Sequence, residues 1–305
     1  MARVVVTGAT GTIGTAVCEA LLARGDVPVG LSRDPDRADS VLPRGVETHA
    51  WRNQLSEPPP VGALENASGV VHLLGEPVAQ RWTDAAKRRI RDSRVASTCK
   101  LVEGLGLVAA ACRPRVLVSQ SATGYYGPSD DRELDEQAPA GTDFLAGVVK
   151  DWEGQALAAE PVMRVVTTRT GVVLAPSGGA LAKMLPFFRA GVGGPVAGGH
   201  QYVPWIHIDD VVAALLFCLD EQAVSGPVNV TAPNPVDDTE LSHALGQVLH
   251  RPAVLPVPAL ALKLLYGQMS EIITTGQRAV PRRLQELGFT FRHPELEPAL
   301  RDVLS

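Results

Sequence analysis

The chain has 305 residues, of which 45% are apolar and 20% charged, and a formal net charge of -5 at pH 7. This is ordinary globular composition, which excludes a disordered or low-complexity chain, and a net acidic balance gives no general attraction to nucleic acid or to anionic membrane. Small molecules are left as the expected partners, and the length calls for one large domain or a cofactor domain with a smaller one attached.

The first predicted element is a buried strand over Arg3–Thr7, entered directly after Met-Ala-Arg. No room is left there for a signal peptide, so the expected location is cytoplasmic. The strand runs into TGATGTIG, which places Gly8, Gly11 and Gly14 in the spacing GxxGxxG at the start of a helix. A first glycine turns the chain off the strand, a second lets backbone approach a pyrophosphate, and a third lets the helix pack closely on the sheet. The phosphates would then meet free amides at the helix N-terminus. Ile13, Val17, Ala20 and Leu21 fall on one helical face, and a second apolar strand, Val27 to Leu31, completes the βαβ setting that gives the glycines their meaning.

An Asp or Glu at the end of that second strand would bind the ribose hydroxyls of NAD. This chain has Ser32 and Arg33 instead, donors suited to a 2′-phosphate, so NADP(H) is expected over NAD(H). The alternatives are an arginine that is only part of an exposed loop, and a neighbouring Asp34 that serves NAD.

Further strands are predicted at Val46 to Ala50, Val70 to Leu74 and Val116 to Ser119, with a long helix between the last two. The alternation implies an α/β fold, a Rossmann doubly wound parallel sheet. On the long helix, Leu101, Leu105, Val108 and Cys112 mark the buried face. Lys87, Arg88, Arg89, Arg91 and Arg94 crowd its first turns and read as a solvated face, with room for one arginine to reach a phosphate. Past the next strand, RVVTTRTGVVLA, the glycine-rich run Gly178 to Pro204 is either a lid over a cleft or a plain surface excursion. Lys183, Arg189, Gln201 and Trp205 are the groups there able to orient a substrate.

In WIHIDDVV a short strand precedes a helix that Asp209 is expected to cap, and His207 is either a general base or a structural group. The apolar run Val211 to Leu219 is less than half the roughly 20 residues of a membrane span and reads as a core helix. Three more helices are expected, around Leu241 to Leu249, Val280 to Leu287 and Leu296 to Leu304. Cys18, Cys99, Cys112 and Cys218 show no metal or redox spacing and read as buried apolar residues, and no metal site is expected.

TGATGTIG, LSR, VVHLLG, VSQSATGYYG and WIHIDDVV stand in the order and spacing of the extended short-chain dehydrogenases/reductases, which the whole chain resembles. GEPVAQRW, DSRVAST, DFLAGVVKDWE and TTGQRAVPRRLQELGFTFRHPELEPAL are similar to an atypical epimerase-family subgroup, NAD-dependent epimerase/dehydratase-like, with a characteristic C-terminal domain of unknown function. The resemblance implies that Gly8, Thr10, Gly11, Thr12, Ile13 and Gly14 hold pyrophosphate and that Ser32 and Arg33 hold the adenosine phosphate. It also implies that Glu76 and Arg81 lie close to the cofactor and that Ser121 hydrogen-bonds a substrate carbonyl or hydroxyl, unless Ser121 only caps its own turn.

The family's acid/base device, a Tyr with a Lys four residues on, is missing: Leu145 or Ala146 takes the Tyr position and Lys150 stands one place out of register. Tyr125 and Tyr126, just past Ser121, are substitute acids or simply buried aromatics. The expected domains are residues 1–175, with 205–231 returning to them, for the dinucleotide, and 176–204 with 232–305, smaller and mainly helical, for the substrate. The function read from all this is an NADP(H)-dependent oxidoreductase or epimerase of a small carbonyl or hydroxyl compound. A sensor that binds NADP(H) without turnover is the alternative. Oligomeric state is not legible in the sequence.

Overall fold

The computed structural model describes residues 1–129 and 131–305. Its centre is a seven-stranded parallel sheet built from β1 (Arg3–Thr7), β2 (Val27–Ser32), β3 (Glu47–Ala50), β4 (Gly69–His72), β5 (Val116–Ala122), β6 (Arg164–Thr170) and β7 (Gly226–Val230), in spatial order β3-β2-β1-β4-β5-β6-β7. Strand order reverses between β1 and β4, which creates the crevice at the carboxyl ends where open parallel sheets bind their ligands. The registers fix the level of each side chain there: His72 lies opposite Ser119, and Ser121 opposite Arg169.

Because helices cover both faces, the central strands read as unbroken apolar runs rather than as alternating ones. Val4, Val6 and Val118 face α1 (Thr12–Ala23) and a later helix, Ile208–Asp220, burying Val17, Leu21, Val211 and Leu215. Val5, Val70 and Leu117 face α2 (Asp84–Leu107) and α3 (Phe144–Leu157), burying Leu101, Leu105 and Ala156. A third core joins α4 (Gly179–Arg189) to the C-terminal helices through Leu181, Leu185, Phe188, Trp205, Leu245 and Leu300. No helix among the described residues is long and apolar enough to cross a membrane.

Several boundaries differ from the sequence reading. β4 stops at His72, so Leu73 and Leu74 already belong to the loop, whereas β5 continues through Ser121 to Ala122 because β6 pairs with it along its whole length. The long helix ends at Leu107, leaving Val108 at its C-cap and Cys112 in a short 3-10 turn. The helix Ile208–Asp220 (α5) is capped by His207, whose Nδ1 accepts from the Asp209 amide at 3.1 Å, and Asp209 stands in its first turn instead. Near the C-terminus the expected helix shortens to Arg282–Glu286. Cys18 and Cys218 are fully buried, their thiols pushed up to about 12 by burial, but Cys99 and Cys112 are only half-buried.

Candidate cofactor cleft and active site

The glycine loop is shaped by contacts that no side chain could share. Gly8 turns with φ +66, and a Cβ there would fall 2.9 Å from the Leu73 carbonyl oxygen. A Cβ on Gly14 would lie 2.2 Å from the Gly8 carbonyl oxygen, so the first turn of α1 rests directly on the loop. Gly11 is the N-cap of α1 and offers no side-chain acceptor, which leaves the first amides free for a phosphate. Thr10, Gly11 and Thr12 are exposed along this edge, while Ile13 is half-buried and anchors the turn.

At the end of β2, the Arg33 side chain is exposed, and the Ser32 hydroxyl donates to the Asp34 carbonyl at 2.9 Å. The Asp34 carboxylate accepts from the Arg37 amide at 3.2 Å as the cap of the helix Pro35–Val41. One of its two oxygens is thereby engaged in a local capping role.

The loop after β4 runs over the same crevice. The amide of Glu76 donates to Ser93 Oγ at 2.9 Å, and its carboxylate lies 3.8 Å from Arg89 Nε. Arg81 is exposed and comes near Gly267 of the C-terminal region. Two contacts close the far side: Thr12 Oγ1 lies 3.5 Å from the Ser177 carbonyl, and Lys183 Nζ of α4 donates to the Ala79 carbonyl at 2.7 Å. The segment read as a lid or an excursion thus bridges the glycine loop and the β4 loop. The other groups considered for the substrate have structural partners. Trp205 is buried with its indole N–H on the Asn234 carbonyl, and Gln201 donates to the carbonyls of Val196 and Ile273. Arg189 is exposed at the end of α4.

Beneath the β4 loop, Thr7, His72 and Thr98 form a buried chain. Thr7 Oγ1 accepts from the Leu73 amide, so its own proton goes to His72 Nδ1 at 2.7 Å. His72 Nε2 then donates to Thr98 Oγ1 at 2.9 Å, and Thr98 donates to the Arg94 carbonyl at 2.6 Å. Every link is satisfied by neutral imidazole, and burial pushes its pKa down to about 3.

Ser121 is fully buried, and its Oγ donates to Glu153 Oε1 at 2.6 Å. Glu153 is gripped by Arg169 through Nε at 2.8 Å and Nη2 at 2.9 Å, a side-on bidentate pair. Burial alone would lower the pKa of this guanidinium, and the Glu153 carboxylate more than reverses that effect. Arg169 Nη1 donates to the Tyr126 hydroxyl at 3.1 Å, which itself donates to Asn229 Oδ1 at 2.6 Å. Burial pushes the Tyr126 phenol up to about 12, so it does not ionise in a useful range. Tyr125 differs: it is half-buried, its ring lies 3.4 Å below the Arg169 guanidinium, and its hydroxyl has no hydrogen bond among the described residues.

On α3, Leu145 packs toward Gly124 at the end of β5, Val149 one turn on is buried, and Lys150 is exposed. The two positions that could have carried the tyrosine, Leu145 and Ala146, are thus apolar and packed, and Lys150 has no hydrogen bond or ion pair among the described residues. Sequence reasoning missed Glu153 and underrated Arg169, because each is an ordinary charged residue until the register of β5 on β6 brings them together. Lys87 to Arg94, read as a solvated face with room for one arginine to reach a phosphate, is solvated only in part. Lys87 and Arg91 reach Gln268 and Asp151 at the surface, and Arg94 turns inward.

A second cluster, remote from this crevice, joins His207, Asp209, His293 and Asp302, whose donor atoms all lie within 4.8 Å of one another. The two rings stack at 3.7 Å, and Asp210 holds the Arg292 and His293 amides at 2.8 and 2.9 Å. Asp302 Oδ2 is 3.2 Å from His207 Nε2, outside hydrogen-bonding geometry. The helix cap taken by His207 Nδ1 leaves the proton on Nε2, so that nitrogen has no lone pair for a metal. The cluster ties the last helix, α7 when α6 is Asp238–Leu249 and α7 is Leu296–Leu304, to the start of α5.

Comparison with known proteins agrees with this geometry. Residues 4–231 match the model of the NAD-dependent epimerase/dehydratase family, and residues 257–303 match a domain of unknown function, DUF1731. The chain is 40% identical to the chloroplastic epimerase family protein SDR39U1 homolog of Arabidopsis thaliana over 98% of this chain and 86% of that one. It is similar to the crystal structure of human epimerase family protein SDR39U1 (isoform 2) with NADPH, with a TM-score of 0.88, 33% identity and 99% of each chain covered. Similarity to the UDP-glucuronic acid 4-epimerase of Bacillus cereus, at a TM-score of 0.78 and 15% identity over 99% and 98% of the two chains, is one of fold alone.

Proposed function

The chain belongs to the NAD-dependent epimerase/dehydratase family, and from that premise we propose that it is an NADP(H)-dependent oxidoreductase or epimerase of a small carbonyl or hydroxyl compound. The observation that carries the reading is the glycine cradle: backbone packed too closely for any Cβ at Gly8 and Gly14, opening on uncapped amides of α1. Those amides, with Thr10 and Thr12, would hold the pyrophosphate. Ser32 and Arg33 would hold the 2′-phosphate, supported by an Asp34 carboxylate already engaged as a helix cap. The NADPH in the human SDR39U1 crystal structure supports the same choice.

When bound, the cofactor supplies reversible hydride transfer. The chain's own residues do the rest. Lys183 of α4 would brace the β4 loop over the crevice, and Glu153, itself held by Arg169, would keep the Ser121 hydroxyl in one orientation. Tyr125 would pass a proton to a substrate oxygen, a reading supported by its unengaged hydroxyl and the cation over its ring. A second reading, binding without turnover, is favoured by one observation: the Ser121 hydroxyl is sealed and already donates to Glu153.

Titration with NADPH and NADH by fluorescence tests the cofactor. NADPH should bind more tightly, and Arg33→Asp should weaken it by more than about tenfold, roughly 1.4 kcal/mol. An unchanged NADPH affinity in that variant would remove the 2′-phosphate assignment. Oxidation of bound NADPH by any of a set of aldehydes and ketones would establish turnover, and tight binding with none would favour the sensor.

A further inference from the structure

Arg94 lies at the carboxyl ends of the strands, one turn of α2 before Thr98. Continuing the register of β4 on β5 sets Leu74 level with Ser121, and Gly75 follows it. There a Cβ on Gly75 would fall 3.0 Å from Arg94 Nη2 and 3.1 Å from its Cζ, so the loop lies directly against the guanidinium. Nη1 donates to the carbonyls of Glu76 and Ile90, both at 3.0 Å. The Trp152 ring flanks the cation at 5.2 Å. Burial pushes this guanidinium down to about 10, with Glu76 opposing the shift from a distance.

What is left over is the other edge. Nε and Nη2 have no hydrogen bond and no carboxylate partner among the described residues, and neither atom is sealed from solvent. This is the same side-on fork with which Arg169 grips Glu153. A guanidinium is a donor only, so whatever completes this place must supply acceptors, and charge favours an anionic one. Arg94 is held rigidly by two carbonyls and a ring, which is the preparation a recognition group needs.

We propose that the Nε and Nη2 edge of Arg94, walled by the Trp152 ring, is an oxyanion subsite of the cleft, and that the substrate carries a carboxylate or a phosphate seated there. The inference rests on the crevice being the cofactor and substrate site proposed above, and it narrows the substrate to an anionic carbonyl or hydroxyl compound.

The test titrates oxamate, inorganic phosphate and neutral acetamide into the preformed NADPH complex, reading the fluorescence of bound NADPH. Oxamate or phosphate should perturb it saturably and acetamide should not, and which anion binds more tightly identifies the class. Arg94→Gln should weaken the anion by at least about tenfold and leave NADPH affinity within about twofold. Arg94→Lys keeps the charge without the fork and should fall between, and Trp152→Phe, which leaves the fork intact, should keep the anion affinity within about twofold. Equal anion affinity in wild type and the Arg94 variants, or no anion binding to the wild-type complex, overturns the subsite. Loss of NADPH affinity in Arg94→Lys assigns the arginine to the cofactor and also overturns it. If Arg94→Gln does not fold, the wild-type and Arg94→Lys titrations decide. Failure of wild type to bind NADPH refutes the proposed function instead, and the anions are then titrated into the free protein by thermal shift.

Discussion

Arg94, on α2 against the loop after β4, and Arg169, near the end of β6, are two cations at the carboxyl-end side of the sheet, and the protein treats them oppositely. Around Arg169 every nitrogen is matched: Glu153 takes the fork, Tyr126 and the Glu136 carbonyl take Nη1, and Tyr125 covers a face. Around Arg94 one edge is matched and the fork is left open. A buried ion pair costs nearly as much desolvation as it recovers, so its main effect is to fix one arrangement of the elements it joins. An unmatched fork fixes nothing by itself and makes sense where a ligand completes it. The difference separates the scaffold of the crevice from the part left for chemistry.

The largest effect should come from breaking the sealed side. Glu153→Gln leaves Arg169 without its countercharge, and the loss should be about 3–5 kcal/mol of stability, read as a drop in the denaturation midpoint. Arg169→Met combined with Glu153→Gln should cost much less than the sum of the two single changes, because the pair is removed together. Equal and additive costs would mean that the pair does not act as a unit. Arg94→Gln, by contrast, should cost far less stability.

The same contrast marks what was legible in the sequence. The glycine loop, the parallel strands and Ser32 with Arg33 declare themselves locally, since turn chemistry and apolar runs act over a few residues. The expectation of NADP(H) rests on Ser32 and Arg33 standing where an acid would serve NAD, and the structure adds that Asp34 is a cap. Ser121 and Tyr126 could be named, but not what they touch. That depends on β5 extending to Ala122 and pairing with β6 in a register set by tertiary packing. Asp209 looked like the cap because acidic residues usually are, and His207 took the role because its ring stacks on His293, 86 residues away, held by Asp210. Arg94 was one of a basic run, and only the inward turn of α2 distinguishes it.

The neutral chain beneath Arg94 gives the next effect. Between about pH 6.5, where an unfolded imidazole takes up a proton, and about 3, where His72 in the fold does, the unfolded state binds one proton more. Stability should therefore fall as pH falls through that window, by up to about 1.4 kcal/mol per pH unit from this group. His207, lowered by burial, acts in the same direction. Glu136 and Asp238, whose carboxyls burial holds above the usual range, act against it. Comparing wild type with His72→Asn isolates the contribution: the variant's stability should be flatter with pH across the window. Parallel pH profiles would show that His72 does not carry the slope.

The two tyrosines bring the comparison down to one oxygen atom each. Tyr126→Phe removes a hydroxyl that accepts from Arg169 and donates to Asn229, whose amide also holds the Leu134 and Val280 carbonyls. Leaving Asn229 Oδ1 buried without a donor should cost about 1–3 kcal/mol, and the cost belongs to folding. Tyr125→Phe removes a hydroxyl with no partner, so the denaturation midpoint should barely move, within about 0.5 kcal/mol. If Tyr125 passes a proton to the substrate, that same silent change should reduce turnover sharply while NADPH affinity stays constant. A Tyr125→Phe protein that is as stable and as active as wild type would leave the crevice without a proton donor among the two, and would shift weight to binding without turnover. The pair thus separates a hydroxyl that holds the fold from one that the fold leaves free, on adjacent residues of a single turn.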